Sequence, residues 1–280
     1  MPLTDEQILT RRNGIGGSDA AAACGLSRWR TPLDVYLEKR GEAPAFEGNE
    51  FTKWGVYLEP AIRQEYANQT GRPVRLPEGT VVHPVHDFML CHPDGVTDDG
   101  RLFEAKNTRF GDGWGEPGTD QIPVEYLMQV QHSMLVTGLV VADVAVLIGG
   151  CDFRIYTVAA DADLHALLIK CERELWGRIK AGMPPNPQTV NDLVTLYGPT
   201  SETRKVEASP EIVQLLATLN LARAQNAEMA EQVARAEFQI KAAMGPADTL
   251  VHAGQTLATW KSTARIGKDG NPVRVFKVKE

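Results

Sequence analysis

Residues 92–106 read His-Pro-Asp-Gly-Val-Thr-Asp-Asp-Gly-Arg-Leu-Phe-Glu-Ala-Lys and limit the possible folds more than any other stretch. Short apolar pieces flank a centre rich in turn residues, which predicts a β-hairpin between strands at 88–90 and 102–106. On the second strand Glu104 and Lys106 are separated by one residue, so their side chains lie on the same face. The pattern therefore predicts a charged pair at one edge of a sheet.

A second carboxylate, Asp94, lies at the end of the first strand and can meet Glu104 and Lys106 across the turn. Two carboxylates form an oxygen site for a hard cation such as Mg²⁺, which lowers the pKa of bound water and neutralises phosphate charge. Lys106 would orient that water and stabilise the developing charge. On this stretch alone, a solvated turn followed by an exposed Glu-x-Lys strand is an equal alternative.

Asp94 followed by Glu104-Ala105-Lys106 resembles the motif of the PD-(D/E)xK nuclease superfamily. Three further blocks occur in the order found in its YqaJ-type viral recombinase and phage lambda exonuclease branch. They are Arg-Arg-Asn-Gly-Ile-Gly-Gly-Ser at 11–18, Trp-Gly-Val-Tyr-Leu-Glu at 54–59 and Tyr-Leu-Met-Gln-Val-Gln-His-Ser-Met at 126–134. The short motif alone is weakly specific, but four blocks in order are strong.

The resemblance implies an α/β, restriction-endonuclease-like core with a mixed central sheet flanked by helices. It implies a Mg²⁺-dependent DNA exonuclease, for which Mn²⁺ would substitute, that resects linear duplex DNA 5′ to 3′ for phage-type recombination. Its partners would be double-stranded DNA ends and a single-strand annealing protein, and a homo-oligomer stays open. Two alternatives remain: an endonuclease with the same core, and a DNA-binding or scaffold module of recombination.

The same resemblance assigns roles to individual residues. Asp94, Glu104 and Glu59 would hold the metal, Lys106 would activate water, and Gln129 with Tyr126 would position it or support the site. Gln131 is the weaker supporting candidate, because its side chain points roughly 200° around a helix from that of Gln129. The DNA phosphate would be bound by Arg11, Arg12 and Ser18. From local pattern alone, Ser18 is predicted to be a helix N-cap.

Hydrophobic periodicity places these residues on regular elements. Apolar side chains at helical spacing predict a helix over 51–70, and further helices are predicted over 123–137 and 161–181. The β-branched run at 140–147 predicts a buried strand with an antiparallel partner at 153–158. Between them, the Gly- and Asp-rich segment 107–121 predicts a mobile loop over the active-site cleft.

A proline-rich stretch and Gly198-Pro199 predict a boundary between a nuclease domain, 1–200, and a C-terminal appendage, 201–280. In the appendage, a long helix is predicted from Ser209-Pro210 to Met244, with an apolar stripe interrupted by Asn226. A basic β-hairpin is predicted after it, with strands at 256–261 and 273–279.

The formal net charge of −7 counts against tight non-specific DNA binding, although a local basic rim can coexist with an acidic total. The beginning of the sequence lacks signal-peptide features, and the four cysteines are scattered without a Cys-x-x-Cys pair. These observations predict a cytoplasmic protein with reduced thiols, in a bacterial or phage-infected host cell. A zinc site built from His83, His86, Cys91 and His92 is disfavoured, because the spacing fits no standard finger.

Overall fold

The computed structural model describes residues 12–43, 48–199, 203, 205–266 and 272–279. The chain divides into two compact units, Met1–Thr200 and Ser201–Glu280. The helices described in the first unit are α1 (Gly17–Ala23), α2 (Pro32–Arg40), α3 (Glu50–Thr70), α4 (Val124–Thr137), α5 (Ala162–Ala181) and α6 (Val190–Tyr197). Its strands are β1 (Ile15–Gly16), β2 (Val74–Arg75), β3 (Val81–Val82), β4 (Met89–Cys91), β5 (Gly95–Thr97), β6 (Leu102–Thr108), β7 (Val141–Ile148) and β8 (Asp152–Ala159).

A five-stranded mixed sheet of order β2-β5-β6-β7-β8 forms the centre of the first unit. Strands β6 and β7 are parallel, and the other neighbouring pairs are antiparallel. Side chains alternate between the faces, so Leu102 and Val144 pack in the cluster on the α4 side, whereas Phe103 and Ala145 pack with α3. The predicted mixed sheet flanked by helices is confirmed.

The hairpin that carries the acidic residues differs from the prediction. Strand β4 pairs with β1 and β3 in a separate sheet, and it is β5 that pairs with β6. Pro93, which has no backbone N–H to donate, lies two residues after the end of β4 and separates it from β5. Gly95 opens β5, where an added Cβ would clash with the Val74 side chain, so only glycine fits.

The start of α1 also differs from the prediction. The N-cap is Gly16, and Ser18 is the second helical residue, so the prediction that Ser18 caps this helix is wrong. The carboxylate of Asp19 accepts a hydrogen bond from the Gly16 backbone N–H at 3.2 Å, which fixes the helix start one residue before the serine. Alanines of α1 then pack against Met128 of α4 and Leu168 of α5.

The longer predicted helices and strands of this unit are confirmed to within a few residues. Segment 109–123 is anchored rather than mobile, since Trp114 is buried at 8% exposure. Its backbone is held as well: Gly118 N–H donates to Ile155 O at 2.8 Å, and Thr157 N–H donates to Thr119 O at 3.1 Å. The buried Trp114 side chain and these hydrogen bonds fix the segment, although its glycines suggested flexibility.

The second unit consists of a helix and a small sheet. Helix α7 spans Pro210–Met244, and the antiparallel sheet contains β9 (Thr249–His252), β10 (Gln255–Ile266) and β11 (Pro272–Val278) in the order β11-β10-β9. The predicted long helix and terminal hairpin are confirmed, while β9 was not predicted. No helix in the described part of the chain is long and apolar enough to cross a membrane.

Candidate active site

The site is built on β6, where alternation points Glu104 and Lys106 toward α4. The Lys106 ammonium donates to Glu104 Oε1 at 2.6 Å, as the one-residue spacing predicts. Asp94 lies directly before β5, and its Oδ2 accepts a hydrogen bond from the Ala105 backbone N–H at 2.9 Å. The two carboxylates therefore lie at neighbouring strands of the sheet, Glu104 within β6 and Asp94 directly before β5.

Gln129 of α4 completes a closed network with this pair. Its Oε1 accepts from the Lys106 ammonium at 3.0 Å, and its Nε2 donates to Glu104 Oε1 at 2.5 Å. Glu104 is buried, with 2% of its side chain exposed, and Lys106 retains 17% exposure. Each of the three side chains contacts the other two, so the lysine and the glutamate are held in one arrangement.

Glu59 reaches the same region from α3. Arg63, one helical turn later, donates to Glu59 Oε1 at 3.2 Å. Burial and the nearby Asp94 carboxylate raise the pKa of Glu59, and Arg63 offsets this only in part. The sequence-based assignment did not include Arg63, although its i,i+4 spacing from Glu59 is a signal that could have identified it.

The charged groups of the site shift one another's pKa values. Burial and the neighbouring Asp94 raise the pKa of Glu104 to about 7. Burial also raises the pKa of Asp94, despite the opposing effect of Lys106. Burial disfavours the charged form of Lys106, but the Glu104 and Asp94 carboxylates outweigh it and raise the pKa of the ammonium. The positive charge of Lys106 thus compensates the carboxylates of Asp94 and Glu104 only in part.

The donor set fits a hard divalent cation. Asp94, Glu104 and Glu59 interact electrostatically with one another, and Lys106 and Arg63 are the cations that act on them. Mg²⁺ commonly takes only one or two protein carboxylates and completes its shell with water and phosphate oxygens. In the described part of the chain, no group of three or more His, Cys, Asp or Glu side chains is placed to hold a metal ion. The fit to a divalent cation therefore rests on the chemistry of the carboxylates and not on a preformed three-residue site.

Aromatic rings cover one side of the lysine. The Lys106 ammonium lies 5.0 Å from the centroid of the Tyr126 ring, within the range of a cation–π contact. The Tyr126 ring contacts buried Trp114 at 5.5 Å and Trp29 at 5.9 Å between centroids. Trp29 is 58% exposed, which leaves most of its indole free to contact a ligand beside the site.

The residues assigned to phosphate binding lie in different places. Arg11 lies outside the described residues. Arg12 is exposed beside the C-terminal end of α2, where an added Cβ at Gly41 would come within 3.1 Å of its guanidinium carbon. Ser18 lines a cavity of about 160 Å³ together with Gln129. Of the described candidates, it is Ser18 that shares a cavity with Gln129, the residue that hydrogen-bonds Glu104 and Lys106.

Gln131 is not part of this constellation. It is buried at 1% exposure; its Nε2 donates to Ala159 O at 2.7 Å and its Oε1 accepts from the Asp161 N–H at 3.0 Å. These two hydrogen bonds pair the side-chain amide of Gln131 with backbone groups at the end of β8. Gln131 therefore has a structural role, whereas Gln129 faces the acids.

A buried charge cluster next to the cavity was not anticipated from the sequence. Asp19 is fully buried and pairs with the Lys39 ammonium at 2.6 Å and the Arg30 guanidinium at 2.9 Å. The partners come from separate segments, so no local spacing signals the cluster. This charge cluster holds α1 against α2, next to the glycine-rich block at residues 11–18.

The fold and this constellation together define an exonuclease-type α/β nuclease fold. The solved structure of LHK-Exo in complex with dAMP is similar to 69% of this chain and 98% of its own, with a TM-score of 0.52 and 20% identity. A second structure of this alkaline exonuclease from Laribacter hongkongensis gives a TM-score of 0.50 and 21% identity, over 64% of this chain and 95% of that one.

The sequence comparisons narrow the class to a family. The family model of the YqaJ-like viral recombinase domain matches residues 8–140. The YqaJ protein of Bacillus subtilis (strain 168) is 30% identical over 268 residues, which cover 92% of this chain and 83% of that protein. The chain belongs to the YqaJ-like viral recombinase family, which confirms the resemblance seen in the sequence.

Proposed function

We propose that this protein is a Mg²⁺-dependent DNA exonuclease that resects linear duplex DNA 5′ to 3′ and prepares ends for recombination. The observation that carries the proposal is the convergence of Asp94, Glu104, Lys106 and Gln129. Membership of a viral recombinase family and a fold like that of an alkaline exonuclease support it. Mn²⁺ would substitute for Mg²⁺, because both accept carboxylate and water ligands.

Each of these residues would have a different role in phosphodiester hydrolysis. Asp94 and Glu104, with Glu59 as a third carboxylate, would hold Mg²⁺, which supplies bound water of lowered pKa and neutralises phosphate charge. Lys106 would orient the attacking water and stabilise the charge that develops on phosphate oxygens. Gln129 holds both Glu104 and Lys106. Tyr126 limits the positions open to the ammonium through its ring face.

The DNA end would be held by residues around the glycine-rich block. Arg11, Arg12 and Ser18 are proposed to contact the terminal phosphate, and Ser18 shares a cavity with Gln129. Exposed Trp29 would add stacking on a nucleobase, which is sequence-tolerant because every base has a π-face. A single-strand annealing protein is the proposed partner for the strand left behind, in the cytoplasm of a bacterial or phage-infected cell.

The decisive experiment compares linear duplex DNA, labelled separately at each end, with covalently closed circular DNA in Mg²⁺. The wild type should release label from the 5′-terminated strand and leave the closed circle intact. Asp94→Asn and Glu104→Gln should lower the rate by at least about 10³-fold, because each removes a metal ligand charge. Glu174→Gln, at an exposed position on α5, is the matched control and should keep full activity.

Cleavage of the closed circle would instead identify an endonuclease with the same site. Duplex binding without hydrolysis in either metal would identify a binding or scaffold module. Wild-type rates in purified, folded Asp94→Asn would refute the assignment of this site.

A further inference from the structure

The small sheet of the second unit has one face that is used in packing. On this face Ala258 is buried at 3% exposure, and the Lys241 ammonium of α7 lies 4.9 Å from the centroid of the Phe276 ring. Arg274 belongs to the same face, where its guanidinium carbon lies 3.8 Å from the centroid of the Trp260 ring. The packing of this face is therefore complete within the unit.

The opposite face of the sheet is exposed and carries lysines. Side chains alternate along a strand, so Lys261 of β10 and Lys277 of β11, which follow Trp260 and Phe276, point away from the packed face. Lys279 lies two residues after Lys277, and its backbone N–H donates to a carbonyl of β10 at 2.8 Å, which continues the strand pairing. All three lysines are exposed on one face.

No negative charge of the sheet offsets these lysines. The three strands contain no Asp or Glu, whereas their Lys and Arg residues are Lys261, Arg265, Arg274 and Lys277. In the described part of the unit, the ion pairs use Lys241 and Arg274 and none of the three exposed lysines. On a chain whose formal net charge is −7, this local positive charge indicates an anionic partner.

The spacing of the lysines suits the phosphates of DNA. Lys261 pairs with Val275, so Lys261, Lys277 and Lys279 follow one another at two-residue steps along the sheet. Each step is about 7 Å, and the row is roughly 14 Å long. One strand of a duplex carries a charge about every 3.4 Å of helix axis, so the step corresponds to every second phosphate.

The position of the aromatic residues distinguishes duplex from single-stranded DNA. Proteins that bind single strands combine positive charge with exposed rings on which bases stack. In β9–β11 the Trp and Phe residues are Trp260 and Phe276, and both lie on the packed face. The lysine face therefore offers charge without a stacking surface, which favours the backbone of a duplex.

We propose that the exposed face of β10 and β11 is a second DNA-contacting surface, which binds the phosphate backbone of duplex DNA through Lys261, Lys277 and Lys279. The contact does not depend on base sequence. It rests on the proposed DNA substrate, but it uses no residue of the acidic site and is therefore measurable without hydrolysis.

Fluorescence anisotropy of a labelled duplex tests this surface in the full-length chain, with EDTA present to prevent hydrolysis. A triple variant with Lys261→Gln, Lys277→Gln and Lys279→Gln should bind at least about tenfold more weakly at physiological salt, because three phosphate contacts are lost. The slope of log K against log salt should become less steep by about 2.7, or 0.9 for each contact. Arginine at the same three positions keeps the charge and should restore wild-type binding.

The matched control removes the same charge from the same unit outside the sheet. Lys205→Gln, Arg223→Gln and Arg235→Gln together change exposed residues and should leave the affinity within about twofold of the wild type. Equal weakening by the two triple variants would show an effect of net charge alone and overturn the proposal. An unchanged affinity of the sheet variant would overturn it as well.

Two further ligands separate duplex DNA from other polyanions. A loss of binding by the sheet variant that is confined to single-stranded oligo-dT, or to phosphatidylserine vesicles, would assign the face to that ligand and refute the duplex assignment. Hydrolysis in Mg²⁺ is measured separately. A wild type that binds duplex through these lysines but never cleaves it would refute the nuclease proposal and leave this surface standing.

Discussion

At the scale of single residues, the main feature is a buried glutamate whose charge is incompletely compensated. Glu104 accepts from both Lys106 and Gln129, yet its pKa remains raised to about 7 because of burial and Asp94. A group of this kind costs folding free energy unless a cation is supplied. The arrangement is therefore unfavourable by itself, and the proposed divalent cation would relieve that cost.

Lys106→Ala should lower the rate of hydrolysis by about 10²–10³-fold, because one positively charged donor to the developing phosphate charge is removed. The Mg²⁺ concentration for half-maximal rate should change little, since the proposed metal ligands stay in place. Steady-state rates across a Mg²⁺ titration measure both quantities. Lys170→Ala, an exposed lysine on α5, serves as the control. A variant that regains full rate at high Mg²⁺ would place Lys106 in metal binding instead.

At the scale of elements, one buried pair connects two helices and a strand. His132 of α4 lies 2.8 Å from Glu172 Oε1 of α5 through Nδ1, and 2.8 Å from Leu90 O of β4 through Nε2. Both ring nitrogens face acceptors, so the doubly protonated ring satisfies the geometry best. Burial disfavours that charge, but the Glu172 carboxylate outweighs it and raises the pKa of His132, with a smaller contribution from Asp19 of α1.

Because the folded pKa of His132 lies above its ordinary value of 6.5, folding takes up a proton in this range. The stabilisation is complete below pH 6.5 and is lost as the pH rises through the raised folded pKa. Burial also raises the pKa of Glu172, but the protonated His132 opposes this shift, and the ionised Glu172 carboxylate is the partner that holds the His132 proton. Other groups that sense this region are His83 and His165, whose pKa values are lowered mainly by burial.

Thermal unfolding followed from pH 6 to 9.5 should therefore show a falling melting temperature in the wild type. Glu172→Gln should lower stability at pH 6 by about 3–5 kcal/mol, because it leaves one partner of a buried pair uncompensated. For a domain of this size that corresponds to roughly 10 °C. The variant should also show a weaker pH dependence, because the contribution of His132 is lost while that of Glu104 remains, whereas Glu174→Gln on the same helix should keep the wild-type dependence. A wild type whose melting temperature rises across this range would contradict the protonated pair.

At the scale of the whole molecule, the proposed catalytic residues and the C-terminal helix and hairpin belong to different units. The acidic site lies within Met1–Thr200, while α7 and the basic hairpin belong to Ser201–Glu280. In the hairpin, Arg274 stacks over the Trp260 ring at 3.8 Å and donates to Ala247 O at 2.7 Å, so this arginine is used in packing. Exposed Lys261, Lys277 and Lys279 remain available to bind phosphates.

Ending the chain at Gly198, the C-cap of α6, should preserve Mg²⁺-dependent hydrolysis of short duplexes within about threefold, because the site residues and their packing partners are kept. Binding to long duplex should weaken, and the slope of log K against log salt should become less steep by about 0.9 for each phosphate that the shortened protein no longer neutralises. Filter binding at several salt concentrations measures this slope. A soluble, folded truncation without hydrolysis would make the second unit part of the catalytic machinery.

By itself the sequence determined the α/β class, the longer helices and strands, and the placement of Glu104 and Lys106 on one face. These properties depend on local periodicity, which is expressed wherever the segment folds. The resemblance added Glu59 and Gln129, which no local pattern connects to the hairpin. The sequence also contained the apolar stripe of α7, because spacing of three and four residues along a helix is a local pattern as well.

Only the tertiary structure decided which strands pair and which polar groups meet. It placed β4 in a separate sheet and anchored segment 109–123 through Trp114. It also separated Gln129, which bonds Glu104, from Gln131, which bonds Ala159. These outcomes depend on contacts between segments far apart in the chain, and the local sequence does not predict such contacts. For the same reason the pKa of Glu104 could not be read from its motif: it is set by burial and by charges from three different elements.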